Sequence, residues 1–182
     1  NEAGLRVAYR GSLGPWPISP EARLVIESTG DVLASEFGLL GFFGIDFALS
    51  RRGPIVIEIN PRYGASVEVL EDALGVSLLA AHARAFGIDL PSAPKAARRI
   101  LCVAKRILFA MESMRVPDDF QAPTSLDDRP DVADVPHAGT VFSVGEPVLT
   151  VFGRGTTLRG AVSELVGRTR DWRNRTPPLR GR

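Results

Sequence analysis

The sequence predicts an α+β fold, on three observations. Two runs, Ile45–Leu49 and Ile55–Ile59, alternate apolar and polar residues around Ser50-Arg51-Arg52-Gly53-Pro54, the pattern of an antiparallel hairpin. Helix-start signals precede apolar residues at helical spacing at Ser19-Pro20-Glu21, Ser66 and Ser77. From Arg99 the composition shifts towards strand, and a last helix follows Thr156. Antiparallel strands of this kind argue against a doubly wound parallel sheet.

The hairpin carries the chemistry. On a strand, Ile55, Ile57 and Ile59 point to one face and Val56, Glu58 and Asn60 to the other. In the first run Ile45, Phe47 and Leu49 share a face and Asp46 takes the reverse. A three-residue loop, Arg51-Arg52-Gly53 with Gly53 left-handed, would set Asp46 opposite Glu58, Phe47 opposite Ile57 and Leu49 opposite Ile55. A loop one residue shorter or longer would turn Asp46 to the wrong face. In that register Asp46, Glu58 and Asn60 form three hard oxygen donors on one face, the set a Mg²⁺ ion on nucleotide phosphates requires.

The remaining elements follow in order. Residues 5–9 could form a short strand, and Gly11, Gly14, Pro15 and Pro17 then read as loop. A helix from Ser19 runs to about Phe37, weakened at Gly30. Ser66 and Ser77 cap helices ending at Gly75 and Gly87. Leu90–Pro94 reads as linker, Arg99–Leu108 as strand, residues 117–138 as a long Pro- and Asp-rich loop with a short strand near Val132. Thr140–Phe142 and Pro147–Phe152 read as strands, Thr156 as the cap of the last helix, and the Arg- and Pro-rich end from Asn174 as a frayed tail.

Composition narrows the function classes. The 182 residues suffice for one good core, or a domain with a small appendage, and no internal repeat is visible. A hydrophobic share of 45% with net charge +1 gives no reason to expect nucleic acid or a membrane surface. No apolar run is long enough for a bilayer. The single cysteine, Cys102, excludes an internal disulfide and suits a reducing compartment, so the cytoplasm is the expected location. The chain opens at Asn1 without an initiator Met, which suggests a fragment or a processed product.

Taken together, Gly41-Phe-Phe-Gly-Ile-Asp46-Phe, Glu58-Ile-Asn60-Pro-Arg62, Glu68 and a helix ending at Gly75 resemble the ATP-grasp superfamily, in particular its predicted ATP-dependent carboligases related to biotin carboxylase. Tyr9-Arg10-Gly11 with Pro15, and the segment from Ala133 to Val151, are similar to flanking parts of that family. The resemblance extends over about residues 5–170. It implies the second half of an ATP-grasp fold plus a small C-terminal β-rich unit, divided as 1–94, 95–172 and a flexible tail 173–182. It further implies ATP with Mg²⁺ (or Mn²⁺) held by Asp46, Glu58 and Asn60, and Arg62 facing the transferring phosphoryl group or the substrate carboxylate.

The implied activity is a carboxylate–amine ligase working through an acyl phosphate, on an amino acid or a one-carbon-cofactor precursor. The earlier half of such a site supplies lysines, yet Lys95 and Lys105 are the only lysines here and both follow the hairpin. A missing N-terminal half or a partner chain is therefore expected, the isolated chain is expected to be inactive, and an exposed cut face makes a homo-oligomer plausible. The rival reading is a non-catalytic, degenerate module that binds a partner through that surface.

Other residues have plainer readings. The acidic face could be only the polar side of a hairpin. Arg62 could cap a helix or pair with Glu68, and Glu68 could serve its helix dipole. His82, among alanines and leucines, reads as a satisfied structural histidine. His137 has no partner at metal spacing, and Cys102 reads as core. Gly153-Arg-Gly-Thr-Thr could hold a phosphate, although an ordinary capped turn is the better reading of so short a stretch.

Overall fold

A computed structural model describes residues 8–90, 101–120 and 130–175. Outside them lie residues 5–7 of the expected first strand, residues 91–100 with Lys95 and most of the expected linker, part of the Pro-rich loop, and the tail beyond 175. In chain order the elements are β1 (Gly11–Gly14), α1 (Pro20–Phe37), β2 (Gly44–Ser50), β3 (Gly53–Asn60), α2 (Val67–Leu74), α3 (Leu78–Ala85), β4 (Cys102–Phe109), β5 (Met114–Arg115), β6 (Val132–Ala133), β7 (Val141–Phe142), β8 (Pro147–Gly155) and α4 (Leu158–Arg175). Mixed helices and antiparallel strands make this an α+β chain. No helix of the described residues is long and apolar enough to cross a membrane. Two compact units emerge, Trp16–Arg99 and Asn1–Pro15 with Ile100–Arg182.

In the unit from Trp16, α1 begins where its sequence says it should. The Ser19 hydroxyl accepts from the Ala22 N–H at 3.2 Å, and Pro20 occupies the first turn. Gly38, left-handed at φ 58°, ends the helix with its N–H on the Ala34 carbonyl. None of the α1 residues is buried. Among the described residues, Val69 and Ala73 of α2 and Ala80 of α3 supply the unit's buried apolar side chains. Ser77 caps α3, accepting from the Ala80 N–H at 3.1 Å. Ser66 does not cap α2: it is already helical (φ −77°, ψ −17°), and its side chain makes no capping bond.

The other unit is a four-stranded antiparallel sheet, ordered β1-β4-β8-β6, with α4 lying against β8 and β4. Its core includes Leu108, Met114, Val116, Leu149, Val151, Ala161 and Leu165. Among the described residues the first strand is Gly11–Gly14, within the stretch expected to be loop. There it pairs with β4, Gly11 opposite Arg106 and Gly14 opposite Val103. Gly11 makes this feasible, since at φ 147° a Cβ would collide with the Lys105 carbonyl. The N-terminal strand thus belongs to the sheet rather than to the hairpin unit that follows it.

Gly153 and Gly155 have a similar purpose. A Cβ on Gly153 would strike the backbone of Ala161 and Leu165, and one on Gly155 would come within 2.6 Å of the Ala161 nitrogen. They end β8 and let α4 press on the strand, which gives both glycines a packing role. Thr157, not Thr156, caps α4, accepting from the Gly160 N–H at 3.0 Å. The Arg154 N–H donates to the Glu164 carboxylate, and Asp131 accepts from both Arg154 (3.1 Å) and Arg168 (2.9 Å). Arg168 therefore ties α4 to the sheet, and α4 continues through Arg173 and Asn174.

Two substitutions check these packing arguments. Gly30 lies inside α1, and a methyl group added there would meet nothing within 4 Å, so Gly30→Ala should raise the unfolding free energy by about 1 kcal/mol. Gly153→Ala should lower it by about 1–3 kcal/mol. Urea denaturation followed by circular dichroism measures both.

Candidate functional site

The hairpin brings the candidate donors together by a route the sequence did not reveal. The turn has two residues, Arg51 and Arg52, closed by Ser50 opposite Gly53. Ser50 explains the shorter turn: its hydroxyl donates to the Gly53 carbonyl (2.8 Å) and accepts from the Arg52 N–H (3.1 Å). That turn sets Leu49 opposite Pro54, Ala48 opposite Ile55 and Phe47 opposite Val56. Continued unchanged, it would put Asp46 and Glu58 on opposite faces. A register shift between Asp46 and Phe47 prevents this: Ile57 is the extra residue of a β-bulge, and beyond it Asp46 pairs with Glu58, Ile45 with Ile59 and Gly44 with Asn60.

The expected pairing of Asp46 with Glu58 therefore holds, while those of Phe47 with Ile57 and Leu49 with Ile55 do not. Near the turn the faces exchange, with Val56 joining Phe47 and Ile55 joining the Asp46 side. Directly opposed residues have Cβ atoms about 4.5–5.5 Å apart, near enough for two carboxylates to share a cation. Asp46 and Glu58 are exposed and Asn60 is half-buried.

Arg62 stands beside them. Its backbone N–H donates to the Asn60 carbonyl at 2.7 Å, a tight turn that folds the chain back as it leaves β3. Its guanidinium donates to the Asn60 Oδ1 at 3.4 Å. The amide oxygen has a second lone pair, so this contact leaves it able to coordinate. Among the described residues no three His, Cys, Asp or Glu side chains are grouped to hold a metal. The hairpin set is of a different kind: two carboxylates and an amide, with further positions left to phosphate oxygens and water, as Mg²⁺ commonly has them.

Behind the site lies a connection the sequence did not announce. Tyr63, next to Arg62, hydrogen-bonds Glu71 of α2. The Glu71 Oε1 also accepts from the Leu79 N–H at the start of α3, at 2.8 Å. His82 of α3 accepts the Phe42 N–H on Nδ1 at 2.8 Å, so it is the satisfied histidine expected. No spacing rule would have paired Tyr63 with Glu71 or His82 with Phe42, because these contacts join separate elements.

Comparison with known proteins places these features. A family model for the ATP-grasp domain matches residues 1–66, which takes in β2, β3 and Arg62. The resemblance read from the sequence is supported at this level: the matched segment carries the ATP-grasp family pattern. An uncharacterised protein of Methanocaldococcus jannaschii is 30% identical over 146 residues, covering 80% of this chain and 34% of that protein. The L-amino acid ligase of Bacillus licheniformis superposes with a TM-score of 0.62 at 14% identity, covering 92% of this chain and 44% of the ligase. The biotin carboxylase domain of the Hydrogenobacter thermophilus 2-oxoglutarate carboxylase, solved with MgADP and bicarbonate, gives 0.65 at 18% identity, covering 88% of this chain and 38% of that domain. The ATP-grasp fold expected from the sequence is thus the fold found, and the chain spans about a third to under half of the length of these proteins.

The Tyr63 connection gives this unit an alkaline limit. Burial holds the Tyr63 phenol well above its ordinary value near 10, and the hydrogen bond and charge of Glu71, with the charge of Glu68, push the same way. The protonated phenol is the form the fold favours. Its contribution is complete below about pH 10, where both states are protonated, and is lost as pH rises beyond that. Urea midpoints taken from about pH 8 to 11 should fall for the native protein and fall less steeply for Tyr63→Phe.

Proposed function

We propose that this chain is the metal- and phosphate-facing part of an ATP-dependent ligase that joins a small carboxylate to an amine. The observation that carries the reading is the pairing of Asp46 with Glu58, with Asn60 on the same face and the Arg62 guanidinium against it. Asp46, Glu58 and Asn60 would hold Mg²⁺, or Mn²⁺ in its place. Bound there, the ion would neutralise charge on the ATP phosphates. Arg62 would present its guanidinium to the transferring phosphoryl group or to the substrate carboxylate. In the reaction a carboxylate oxygen attacks the γ-phosphorus and ADP leaves. The amine nitrogen then attacks the acyl carbon, phosphate departs and the nitrogen loses a proton. Positioning and charge neutralisation are most of what such a transfer needs from protein.

The L-amino acid ligase and the MgADP-bound carboxylase domain support this substrate class and cofactor. An amino acid or a one-carbon-cofactor precursor would be the substrate, and the cytoplasm the setting. The remaining phosphate ligands and the adenine pocket would come from a preceding half of the protein or from a partner chain. The apolar surface left open on the hairpin unit supports that need: Leu24, Phe37 and Ile57 are 67%, 70% and 69% exposed. The same surface favours a second reading, a non-catalytic module that binds a partner or another copy of itself.

Mg²⁺-dependent ADP release by the full-length protein, across a panel of amino acids, separates the two. Turnover with one of them, reduced about 100-fold or more in Glu58→Gln, supports the ligase. Unchanged turnover in that variant overturns the metal assignment. Absence of ADP release with every amino acid favours the interaction module.

A further inference from the structure

We infer that His82 is a positioning residue for this site, holding the two ends of the hairpin in the arrangement that sets Asp46 and Glu58 beside Asn60 and Arg62. The inference rests on the reading of those four residues as the Mg–ATP face. Phe42, two residues before β2, donates its N–H to Nδ1 at 2.8 Å and stacks its ring on the imidazole, centroids 6.1 Å apart at 15°. Tyr63, which follows Arg62, meets the same ring edge-on at 6.1 Å and 70°. One side chain on α3 thus touches both the segment that leads to Asp46 and the segment that leads from Asn60 and Arg62.

The surroundings are shaped for that ring. Gly41 is left-handed (φ 76°), and a Cβ there would lie 2.6 Å from Nδ1 and 2.9 Å from a carbon of Phe86. Phe86, one turn further along, packs on the imidazole at 5.1 Å and fixes its plane. With Nδ1 accepting, the neutral ring carries its proton on Nε2. The hairpin needs such an anchor. A two-stranded hairpin is marginal on its own, and most of β2 and β3 is exposed. Its turn end is held by Ser50 and its open end by His82. Because the proposed donors all lie at the open end, a loosened His82 contact displaces them before it unfolds anything else.

The test uses the full-length protein and three substitutions. His82→Asn keeps an acceptor where Nδ1 stands, His82→Gln moves the acceptor one carbon further out, and His82→Phe keeps a ring without an acceptor. The readouts are Mn²⁺ binding in the presence of ADP, followed by electron paramagnetic resonance, and the scalar coupling across the hydrogen bond between the Phe42 and His82 nitrogens in the native protein. The coupling should be present. His82→Phe and His82→Gln should weaken Mn²⁺ binding about 10- to 100-fold while His82→Asn restores most of it, as expected of a residue that orients a ligand rather than serving as one. Should His82→Phe fail to fold, the contrast between Asn and Gln decides. Equal affinities for Asn and Gln, or native affinity in His82→Phe, overturn the role of His82. Unchanged binding in Glu58→Gln overturns the reading of the site itself, and the inference with it.

Discussion

The charged face of the hairpin depends on a single residue of slack, Ile57. Ser50 draws the turn down to two residues by bonding at both ends of it, and a ladder laid down from that turn would send Glu58 away from Asp46. The bulge restores the match by leaving Ile57 without a cross-strand partner. Two local irregularities, each unfavourable to a regular ladder, cancel at the point where the carboxylates meet. Neither side chain of the acidic pair dictates its own placement; the turn and the bulge do so between them.

The two units solve the problem of holding an element in place differently. In the sheet unit, close backbone approach does it: Gly153 and Gly155 let α4 lie on β8, and the Glu164 carboxylate takes the Arg154 N–H across the contact. Asp131, with Arg154 and Arg168 both on it, closes the edge. The hairpin unit has few buried side chains and relies on discrete polar links, Glu71 to Leu79 and Tyr63, and His82 to Phe42. Polar links fix geometry well and add only modest stability. A unit built on them has well-placed chemistry and a thin core.

Much of this was legible, and what was not has physical causes. Alternation made Asp46, Glu58 and Asn60 visible as one face, and the Ser19-Pro20 start made α1 visible as a helix. The length of the hairpin loop was hidden because a serine hydroxyl tightening a turn leaves no mark in hydropathy. The bulge at Ile57 was invisible because no residue type demands it there. Gly11–Gly14 read as loop since glycine and proline commonly break strands; the neighbouring Lys105 carbonyl, which requires a residue without a Cβ, is remote in sequence. The same long range hid the cluster of Asp131, Arg154 and Arg168.

The pairing of β1 with β4 has a consequence for how the chain is made. β1 is synthesised before the whole of the hairpin unit, and its partner only afterwards. The sheet cannot gain this strand until everything between has emerged, and joining them closes a long loop whose entropy must be met. A hairpin unit that has already collapsed shortens that loop, because a compact body brings its ends nearer than a loose chain does. The sheet unit can therefore be completed only after the inserted segment has emerged, and its closing contacts are long-range ones.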